Sequence, residues 1–163
     1  MSLPLLTPLT GEDLRRAGVP EPFRLGQADR VRFRELDVLD HVNNAVYLTW
    51  FETFRIGYFR HFRVGDYESP GARPVFVLKG VSVDYRAPLH LEDVYVVAGR
   101  VRAYRRTSFT MEYGVWRDGM LCATSDAVIC LMEADFTTKK PLPEACLSVF
   151  RADGAEDQAQ PAP

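Results

Sequence analysis

The spacing of apolar and polar residues predicts one long helix in the first half of the chain. Residues 41–63 contain no proline and a single glycine, and their apolar side chains recur at helical spacing. At about 100° per residue these side chains cover an arc of roughly 220°, too wide for a helix that rests on a flat surface. The helix is therefore expected to be enclosed by other structure. The side chains in this arc are Val46, Tyr47, Leu48, Trp50, Phe51, Phe54, Tyr58, Phe59 and Phe62.

Alternating and continuous apolar runs predict five strands. The first, Arg30–Arg34, alternates polar and apolar residues, and the other four follow the long helix. Asp118-Gly119 is a strong signal for a two-residue hairpin turn between the last two strands. We expect the four later strands to form an antiparallel meander and residues 143–150 to form a short closing helix. The four strands are predicted at residues 75–85, with a bulge at Gly80, and at residues 94–104, 108–116 and 120–132.

This order of elements defines an α+β domain in which one curved antiparallel sheet of about five strands buries the long helix. The domain is predicted to span residues 29–152. Residues 1–28 are punctuated by Pro and Gly and are interpreted as an N-terminal arm with a short helix near residues 11–18. Residues 153–163 are polar and rich in Pro and Ala, which is typical of a disordered tail. A single sheet exposes its edge strands, so dimerisation through an edge is expected.

Composition excludes several classes of function. The 163 residues carry 20 Lys and Arg against 22 Asp and Glu, and this net charge of −2 gives no general basis for binding nucleic acid or an anionic membrane. No apolar run reaches the roughly 18 residues of a membrane-spanning helix, and no secretory signal pattern opens the chain. Three cysteines, an odd number, indicate reduced thiols and a cytoplasmic location. No metal site is expected, because CxxC and HExxH are absent and only three His occur.

The densest group of polar residues spans residues 35–44, between the first strand and the long helix. Three carboxylates, one His and two Asn fall within these ten residues. Asp40 is predicted to cap the helix by accepting from the N–H groups of Val42 or Asn43. The first-turn amides would then stabilise a carbonyl oxygen or oxyanion, and Asp37 would attack the carbonyl or activate water against it. Spacing alone leaves this hydrolytic site and a purely structural helix cap both open.

The motif resembles that of the hotdog-fold acyl-CoA thioesterases of the 4-hydroxybenzoyl-CoA thioesterase type. The resemblance rests on the sequence ELDVLDHVNNAVY at residues 35–47, on WFE at residues 50–52 with Arg55, and on two later segments. The later segments are VDYRAPL at residues 83–89 and RRTSF at residues 105–109. The resemblance implies a hotdog fold, an acyl-CoA substrate and a homodimer with its active sites at the subunit interface, often paired into a tetramer. It implies no metal and no cofactor other than the coenzyme A of the substrate.

The resemblance also implies roles for single residues. Asp37 falls on the catalytic carboxylate of the family, which acts as nucleophile or as general base. The amides around Asn43 and Asn44 would polarise the thioester carbonyl, and aromatic side chains of the helix would shape the acyl pocket. The turn at residues 105–108 corresponds to the region near the phosphates of coenzyme A. The predicted substrate-binding residues are His41, Tyr47, Arg105, Arg106 and Ser108.

Two positions depart from the family pattern. Glu35 stands in place of the first acidic residue, and Asp40 stands in place of a glycine that brings the backbone close to the ligand. Asp adopts the left-handed conformation more readily than most residues, so we expect the turn to persist. Glu52 and Arg55, three residues apart on the helix, are predicted to form a structural ion pair.

Three alternatives to an acyl-CoA thioesterase stay open from the sequence. An acyl-carrier-protein thioesterase would need a protein-docking patch in place of the arginines that hold coenzyme A. A hotdog hydratase or dehydratase would need a His beside a carboxylate, and only His41 is placed for that role. A non-catalytic acyl-CoA-binding dimer would share the fold without turnover, because a fold does not determine a function.

Overall fold

The computed structural model describes residues 3–69 and 71–159. These residues form seven strands, three α-helices and a short 3₁₀ helix, which is an α+β mixture as predicted. In chain order the elements are β1 (Pro8–Leu9), α1 (Gly11–Arg16), β2 (Gly26–Arg30), the 3₁₀ helix (Phe33–Glu35), α2 (Asn44–His61), β3 (Val75–Tyr85), β4 (Val94–Tyr104), β5 (Ser108–Arg117), β6 (Met120–Met132), α3 (Glu144–Ala152) and β7 (Glu156–Asp157).

All seven strands belong to one sheet with the order β1-β2-β4-β5-β6-β3, and β7 pairs in parallel with β4. The predicted number of about five strands is therefore too low. The predicted meander holds for β4, β5 and β6 but is wrong for β3, which lies beside β6 and not beside β4. The connection from β3 to β4 is a loop at residues 86–93 and not a tight turn, so the two strands need not be neighbours in the sheet.

The strand predicted at Arg30–Arg34 is wrong in position, because the observed strand β2 ends at Arg30. The carboxylate of Glu35 accepts a hydrogen bond from the backbone N–H of Arg32 at 2.7 Å, and the N–H of Glu35 donates to the Arg32 carbonyl at 2.9 Å. These two bonds close the 3₁₀ turn and end the extended chain. As a result Phe33, predicted to lie within the strand, is 81% exposed.

Helix α2 begins at Asn44 and ends at His61, within the predicted range of residues 41–63. Six of the nine side chains in the predicted apolar arc are buried, whereas Leu48 is exposed. The buried side chains are Tyr47, Trp50, Phe51, Phe54, Tyr58 and Phe59. The closing helix is confirmed as α3, and the short helix predicted near residues 11–18 is confirmed as α1.

The N-terminal segment is part of the sheet and of a hydrophobic cluster, and is more than an arm that lies on the domain. Strand β1 pairs with β2 in antiparallel register, with Leu9 opposite Gly26. Leu9, Leu14 and Val19 are buried in one cluster with Trp116 and other apolar residues. Because β2 continues through residue 28, the predicted boundary at that residue falls inside a strand.

The predicted disordered tail is also structured over residues 153–159. Asp153 is buried, and its carboxylate accepts hydrogen bonds from the Tyr58 hydroxyl and from the N–H of Val101, the latter at 2.9 Å. Arg100 donates to the Asp153 carbonyl at 2.8 Å, and strand β7 follows. The prediction of disorder rested on the polar composition of the tail, which does not show that Asp153 has buried hydrogen-bond partners. Residues 160–163 of the predicted tail lie outside the described residues.

The chain divides into two compact units, each built from three segments. The first unit contains residues 1–56, 83–99 and 113–125, and the second contains residues 57–82, 100–112 and 126–163. The candidate catalytic residues belong to the first unit and the candidate phosphate-binding residues to the second. The single domain predicted at residues 29–152 stays a prediction.

Candidate active site

Asp37 lies in a tight turn that is closed by three hydrogen bonds from backbone amides. The N–H of Asp37 donates to the His41 carbonyl at 2.8 Å, and the N–H of Asp40 donates to the Asp37 carbonyl at 3.2 Å. The Oδ1 atom of Asp37 accepts from the N–H of Leu39 at 2.8 Å. Asp40 adopts the left-handed conformation with φ of 58°, which is the geometry expected if Asp stands where a glycine would otherwise form the turn.

The predicted helix cap is wrong, because Asn43 and not Asp40 caps α2. The Oδ1 atom of Asn43 accepts a hydrogen bond from the N–H of Ala45 at 2.9 Å. Asp40 cannot take this role because the two amides assigned to it have other acceptors. The N–H of Val42 donates to the Leu89 carbonyl at 2.9 Å, and the N–H of Asn43 donates to the Glu35 carbonyl at 2.8 Å.

The amides of Asn43 and Asn44 were both predicted to polarise a carbonyl, but these bonds leave only one of them free to do so. The N–H of Asn43 is engaged by Glu35 and is not available to a ligand. The N–H of Asn44, at the first residue of α2, has no acceptor within residues 3–69 and 71–159. The open end of a helix presents partial positive charge, so the Asn44 amide is the donor that can stabilise a developing oxyanion.

A cleft of about 330 Å³ brings together four of the predicted site residues. Tyr47 forms a buried wall, and burial raises the pKa of its hydroxyl to about 12, with smaller contributions from Cys122 and Tyr85. Arg86 contributes an exposed guanidinium that pairs with Asp84 at 3.2 Å. The cleft is lined by Asp37, His41, Val42, Asn44, Tyr47 and residues 85–88.

Two residues of this region were missed by the sequence analysis. The Tyr85 hydroxyl donates to the Asn44 carbonyl at 2.8 Å, and its ring meets the Tyr47 ring edge-on at a centroid distance of 5.2 Å. The His90 Nδ1 atom lies 3.3 Å from the Asp40 carbonyl oxygen, and its ring contacts the His41 ring edge-on. Tyr85 stood inside a segment that carried the resemblance, but nothing local in the sequence relates it to Asn44, 41 positions away.

An ion pair fixes the loop at residues 86–93 that forms one wall of the cleft. Arg117 contacts the Asp93 carboxylate at 2.6 Å and donates to the Pro88 carbonyl at 3.3 Å. The Asp93 carboxylate also accepts from the N–H of His90 at 2.8 Å. Partial burial alone would raise the pKa of Asp93, but the hydrogen bonds from His90 and Arg117 outweigh it and lower that pKa.

Arg105, Arg106 and Ser108 line a different cleft, of about 570 Å³, in the second unit. Two lysines, Lys79 and Lys139, lie in the same lining, and no acidic residue does. The turn itself is closed by the N–H of Arg105, which donates to the Ser108 carbonyl at 2.7 Å. None of the four cationic side chains has an ion-pair partner in the described part of the chain, so this cleft is electropositive.

The remaining predicted residues have structural contacts. Glu35 is 8% exposed, and its carboxylate accepts from the Trp50 indole N–H at 3.1 Å and from the Arg32 backbone. The predicted pair of Glu52 and Arg55 is present, with their nearest charged atoms 3.9 Å apart, and Arg55 also donates to the Tyr113 hydroxyl at 3.2 Å. Glu35 and Arg55 therefore support the elements around the site and do not line the cleft.

The described residues contain no group of three or more His, Cys, Asp or Glu side chains placed to hold a metal ion. All three cysteines are buried and unpaired. Over the same residues, no helix is long and apolar enough to cross a membrane.

Comparison with protein families identifies the class. The model of the thioesterase-like superfamily matches residues 31–150, and the chain belongs to this superfamily. A curated relative, the acyl-CoA thioester hydrolase YbgC of Escherichia coli O157:H7, is 26% identical over 126 residues, which cover 75% of this chain and 92% of the relative. The superfamily and the solved structures below confirm the predicted hotdog fold.

Two solved structures are similar over most of the chain. A thioesterase superfamily protein from Jannaschia sp. CCS1 is 42% identical with a TM-score of 0.85, covering 93% of this chain and 97% of that one. A thioesterase from Thermus thermophilus, solved with coenzyme A and Zn, is 36% identical with a TM-score of 0.70. That match covers 82% of this chain and 97% of the Thermus chain.

Proposed function

We propose that this protein hydrolyses an acyl-CoA thioester to a free acid and coenzyme A. The observation that carries the proposal is that Asp37 and Asn44, whose backbone N–H has no acceptor among the described residues, line one cleft. The acyl-CoA thioester hydrolase activity in the name of YbgC and the coenzyme A in the Thermus structure support the same substrate class. The 4-hydroxybenzoyl-CoA type is the narrower proposal, supported by the aromatic pair of Tyr47 and Tyr85 at the cleft.

The chemistry follows from the two groups in the cleft. The thioester oxygen would accept a hydrogen bond from the Asn44 N–H, and negative charge that develops on this oxygen would be stabilised at the positive end of α2. Because Asp37 Oδ1 is held by the Leu39 amide, Oδ2 is the oxygen free to react. Neither step needs a metal or an organic cofactor.

Two routes for Asp37 stay within this proposal. As nucleophile, Oδ2 attacks the thioester carbon, the C–S bond breaks, coenzyme A leaves as thiolate, and water then hydrolyses the acyl–carboxylate anhydride. As general base, Asp37 takes a proton from water while the water oxygen attacks the same carbon, and the proton passes to the leaving thiolate. Both routes use the Asn44 amide in the same way.

The electropositive cleft is proposed to bind the phosphates of coenzyme A. Arg105 and Arg106 supply guanidinium groups suited to bidentate phosphate contacts, and Ser108 supplies a hydroxyl donor. Four cations in a lining that contains no acidic residue would hold a polyanion with little competition from the protein. His41 and Tyr47 are proposed to contact the acyl end of the substrate, because both line the Asp37 cleft.

The assembly is proposed to be a homodimer, with a tetramer as a further pairing of dimers. Strand β3 supports this, because its 11 residues lie at the end of the strand order and expose apolar side chains such as Leu78 and Val81. A long exposed edge strand is usually paired or covered. A cytoplasmic location stays a prediction.

The experiment is a hydrolysis panel with acetyl-, octanoyl-, palmitoyl- and benzoyl-CoA, followed by direct detection of the thioester. Asp37→Asn is expected to reduce kcat at least a hundredfold, as loss of a catalytic carboxylate does. Asp13→Asn, an exposed Asp that pairs with Arg16 on α1, is the matched control and should keep full activity. Retained turnover in a folded Asp37→Asn variant would contradict the assignment.

The alternatives give different outcomes when a carrier-bound thioester and an enoyl-CoA are added to the panel. An acyl-carrier-protein thioesterase would hydrolyse carrier-bound substrates and leave the acyl-CoA panel intact. A non-catalytic dimer would bind acyl-CoA without turnover whether or not Asp37 is present. A hydratase would add water to an enoyl-CoA and would depend on His41. Any of these results would contradict the proposed function and favour the corresponding alternative.

A further inference from the structure

A second cleft of the first unit, of about 300 Å³, shares no lining residue with the Asp37 cleft. Its floor is aromatic and apolar: the Trp50 indole stacks on the Tyr95 ring with centroids 3.9 Å apart and planes at 20°, and Phe54 and Val97 complete the surface. All four side chains are buried. Pockets of this volume with an apolar floor and a few polar groups are typical of small-ligand sites.

The carboxylates at this cleft are already satisfied. Both oxygens of Asp29 accept from the Arg32 guanidinium, at 2.9 and 3.0 Å. The two oxygens of Glu35 accept from the Trp50 indole N–H at 3.1 Å and from the Arg32 backbone N–H at 2.7 Å. These acids therefore have no oxygen left without a donor, and a cationic ligand would have to displace existing bonds.

Two donors at the cleft, in contrast, lack an acceptor. Tyr95 is only 2% exposed, yet its hydroxyl makes no hydrogen bond with any described residue. The ring is buried but the hydroxyl oxygen is not, so the hydroxyl opens onto the cleft, where it can donate to a bound ligand. The exposed guanidinium of Arg34 also has no ion-pair partner among the described side chains.

We propose that this cleft binds a small carboxylic acid. Its carboxylate would accept from the Tyr95 hydroxyl and the Arg34 guanidinium, and its hydrocarbon part would lie on Trp50, Phe54 and Val97. Asp29 and Glu35 repel any anion at this cleft, and they repel a doubly charged phosphate more strongly than a singly charged carboxylate, whose charge Arg34 can balance. An apolar body on the acid suits the apolar floor. The site does not depend on the proposed hydrolysis, because no residue of the Asp37 cleft takes part.

The test is calorimetric titration of the full chain with benzoate, beside benzamide as the uncharged analogue. Benzoate should bind saturably and benzamide about tenfold more weakly, since it lacks the charge that strengthens the bond to Arg34. Arg34→Gln and Tyr95→Phe should each weaken benzoate binding about tenfold. Tyr95→Phe should not lower the thermal stability, because the hydroxyl that it removes has no partner in the described chain.

Two matched variants locate the binding. Arg30→Gln removes a nearby exposed Arg that pairs with Glu92 at 3.0 Å outside the cleft, and Tyr85→Phe removes a phenol from the Asp37 cleft. Both should bind benzoate within twofold of the unmodified chain. The proposal is overturned if benzoate does not bind saturably, or if Tyr85→Phe weakens binding while Arg34→Gln does not. Because Arg34 is exposed, its variant tests the site even if Tyr95→Phe fails to fold.

Discussion

The Asp37 cleft and the Arg105 cleft are built in opposite ways. Around Asp37 the backbone is fixed by hydrogen bonds to Leu39, His41 and Glu35, and the facing loop is held by the ion pair of Arg117 and Asp93. At the Arg105 cleft, four long cationic side chains have no ion-pair partner in the residues that the structure covers. One cleft is rigid and nearly saturated with internal bonds, and the other keeps its charges available.

This difference matches the demands of the two proposed tasks. Attack on a carbonyl needs a donor and a carboxylate held to within a fraction of an ångström, so internal bonds at Asp37 assist the reaction. Binding a flexible polyanion needs charge more than fixed geometry, so exposed arginines and lysines suffice. The chemistry and the affinity should therefore respond to different substitutions.

The largest expected effect at the Arg105 cleft comes from replacing both Arg105 and Arg106 by Gln. KM for acyl-CoA should rise about tenfold or more, with kcat unchanged, because charge-assisted phosphate contacts are lost. Steady-state kinetics at low and high ionic strength measure this, and added salt should narrow the gap between the two proteins. Lys140→Gln, whose Nζ atom lies 3.4 Å from Glu133, is the matched control. A fall in kcat at constant KM would contradict the division of roles.

Tyr85→Phe sharpens the comparison at the rigid cleft. The variant removes the hydrogen bond to the Asn44 carbonyl, and we expect kcat to fall about fivefold, which corresponds to roughly 1 kcal/mol. The bond orients the first residue of α2, so the effect should appear in kcat more than in KM. Circular dichroism must show an intact fold. A wild-type kcat in this variant would mean that the orientation of Asn44 does not depend on Tyr85.

The cap of α2 gives a smaller effect, on stability. Asn43→Ala should lower the free energy of unfolding by about 1 kcal/mol, because the Oδ1 bond to Ala45 is lost, and Asn43→Asp should restore it. Asn44→Ala should change stability by less than about 0.5 kcal/mol and should keep turnover, because its backbone amide does the proposed work. Urea denaturation and the hydrolysis assay measure both. Loss of turnover in a stable Asn44→Ala variant would assign the role to the side chain.

The ion pair behind the cleft predicts the smallest effect, and it depends on pH. The pKa of Asp93 is lower in the folded chain than in the unfolded chain, so its contribution to stability is complete above the ordinary Asp pKa of about 3.9. This contribution, about 1 kcal/mol or less, is lost as the pH falls from there through the lowered pKa. Denaturation at pH 2 to 7 should show a shallower loss of stability at low pH for Asp93→Asn than for the unmodified chain. An identical acid loss would contradict the pairing.

The elements that the sequence predicted well are those with a local signal. Strands β4 and β6 match the predicted residues because an apolar run marks each of them and the Asp118-Gly119 turn marks the start of β6. The place of β3 beside β6 depends on pairing between distant segments, and no local pattern encodes it. The end of the first strand was missed because a single side chain, Glu35, closes the turn that stops it.

The candidate site follows the same rule. The motif around Asp37 placed four predicted residues at one cleft, because they are close in sequence and one resemblance covers them. The helix cap was misassigned because the acceptors of Val42 and Asn43, the carbonyls of Leu89 and Glu35, become known only when the chain is folded. The roles of Tyr85 and of the Tyr95 hydroxyl could not be predicted from the sequence for the same reason.

The most direct test of the division between the two clefts is to measure turnover and coenzyme A affinity on the same preparation of Asp37→Asn. The structure predicts that turnover falls at least a hundredfold while the Kd for coenzyme A stays within twofold of the unmodified chain, because the carboxylate belongs to the reaction and the cations belong to binding. Loss of coenzyme A binding together with turnover, or turnover that survives the substitution, would contradict this account.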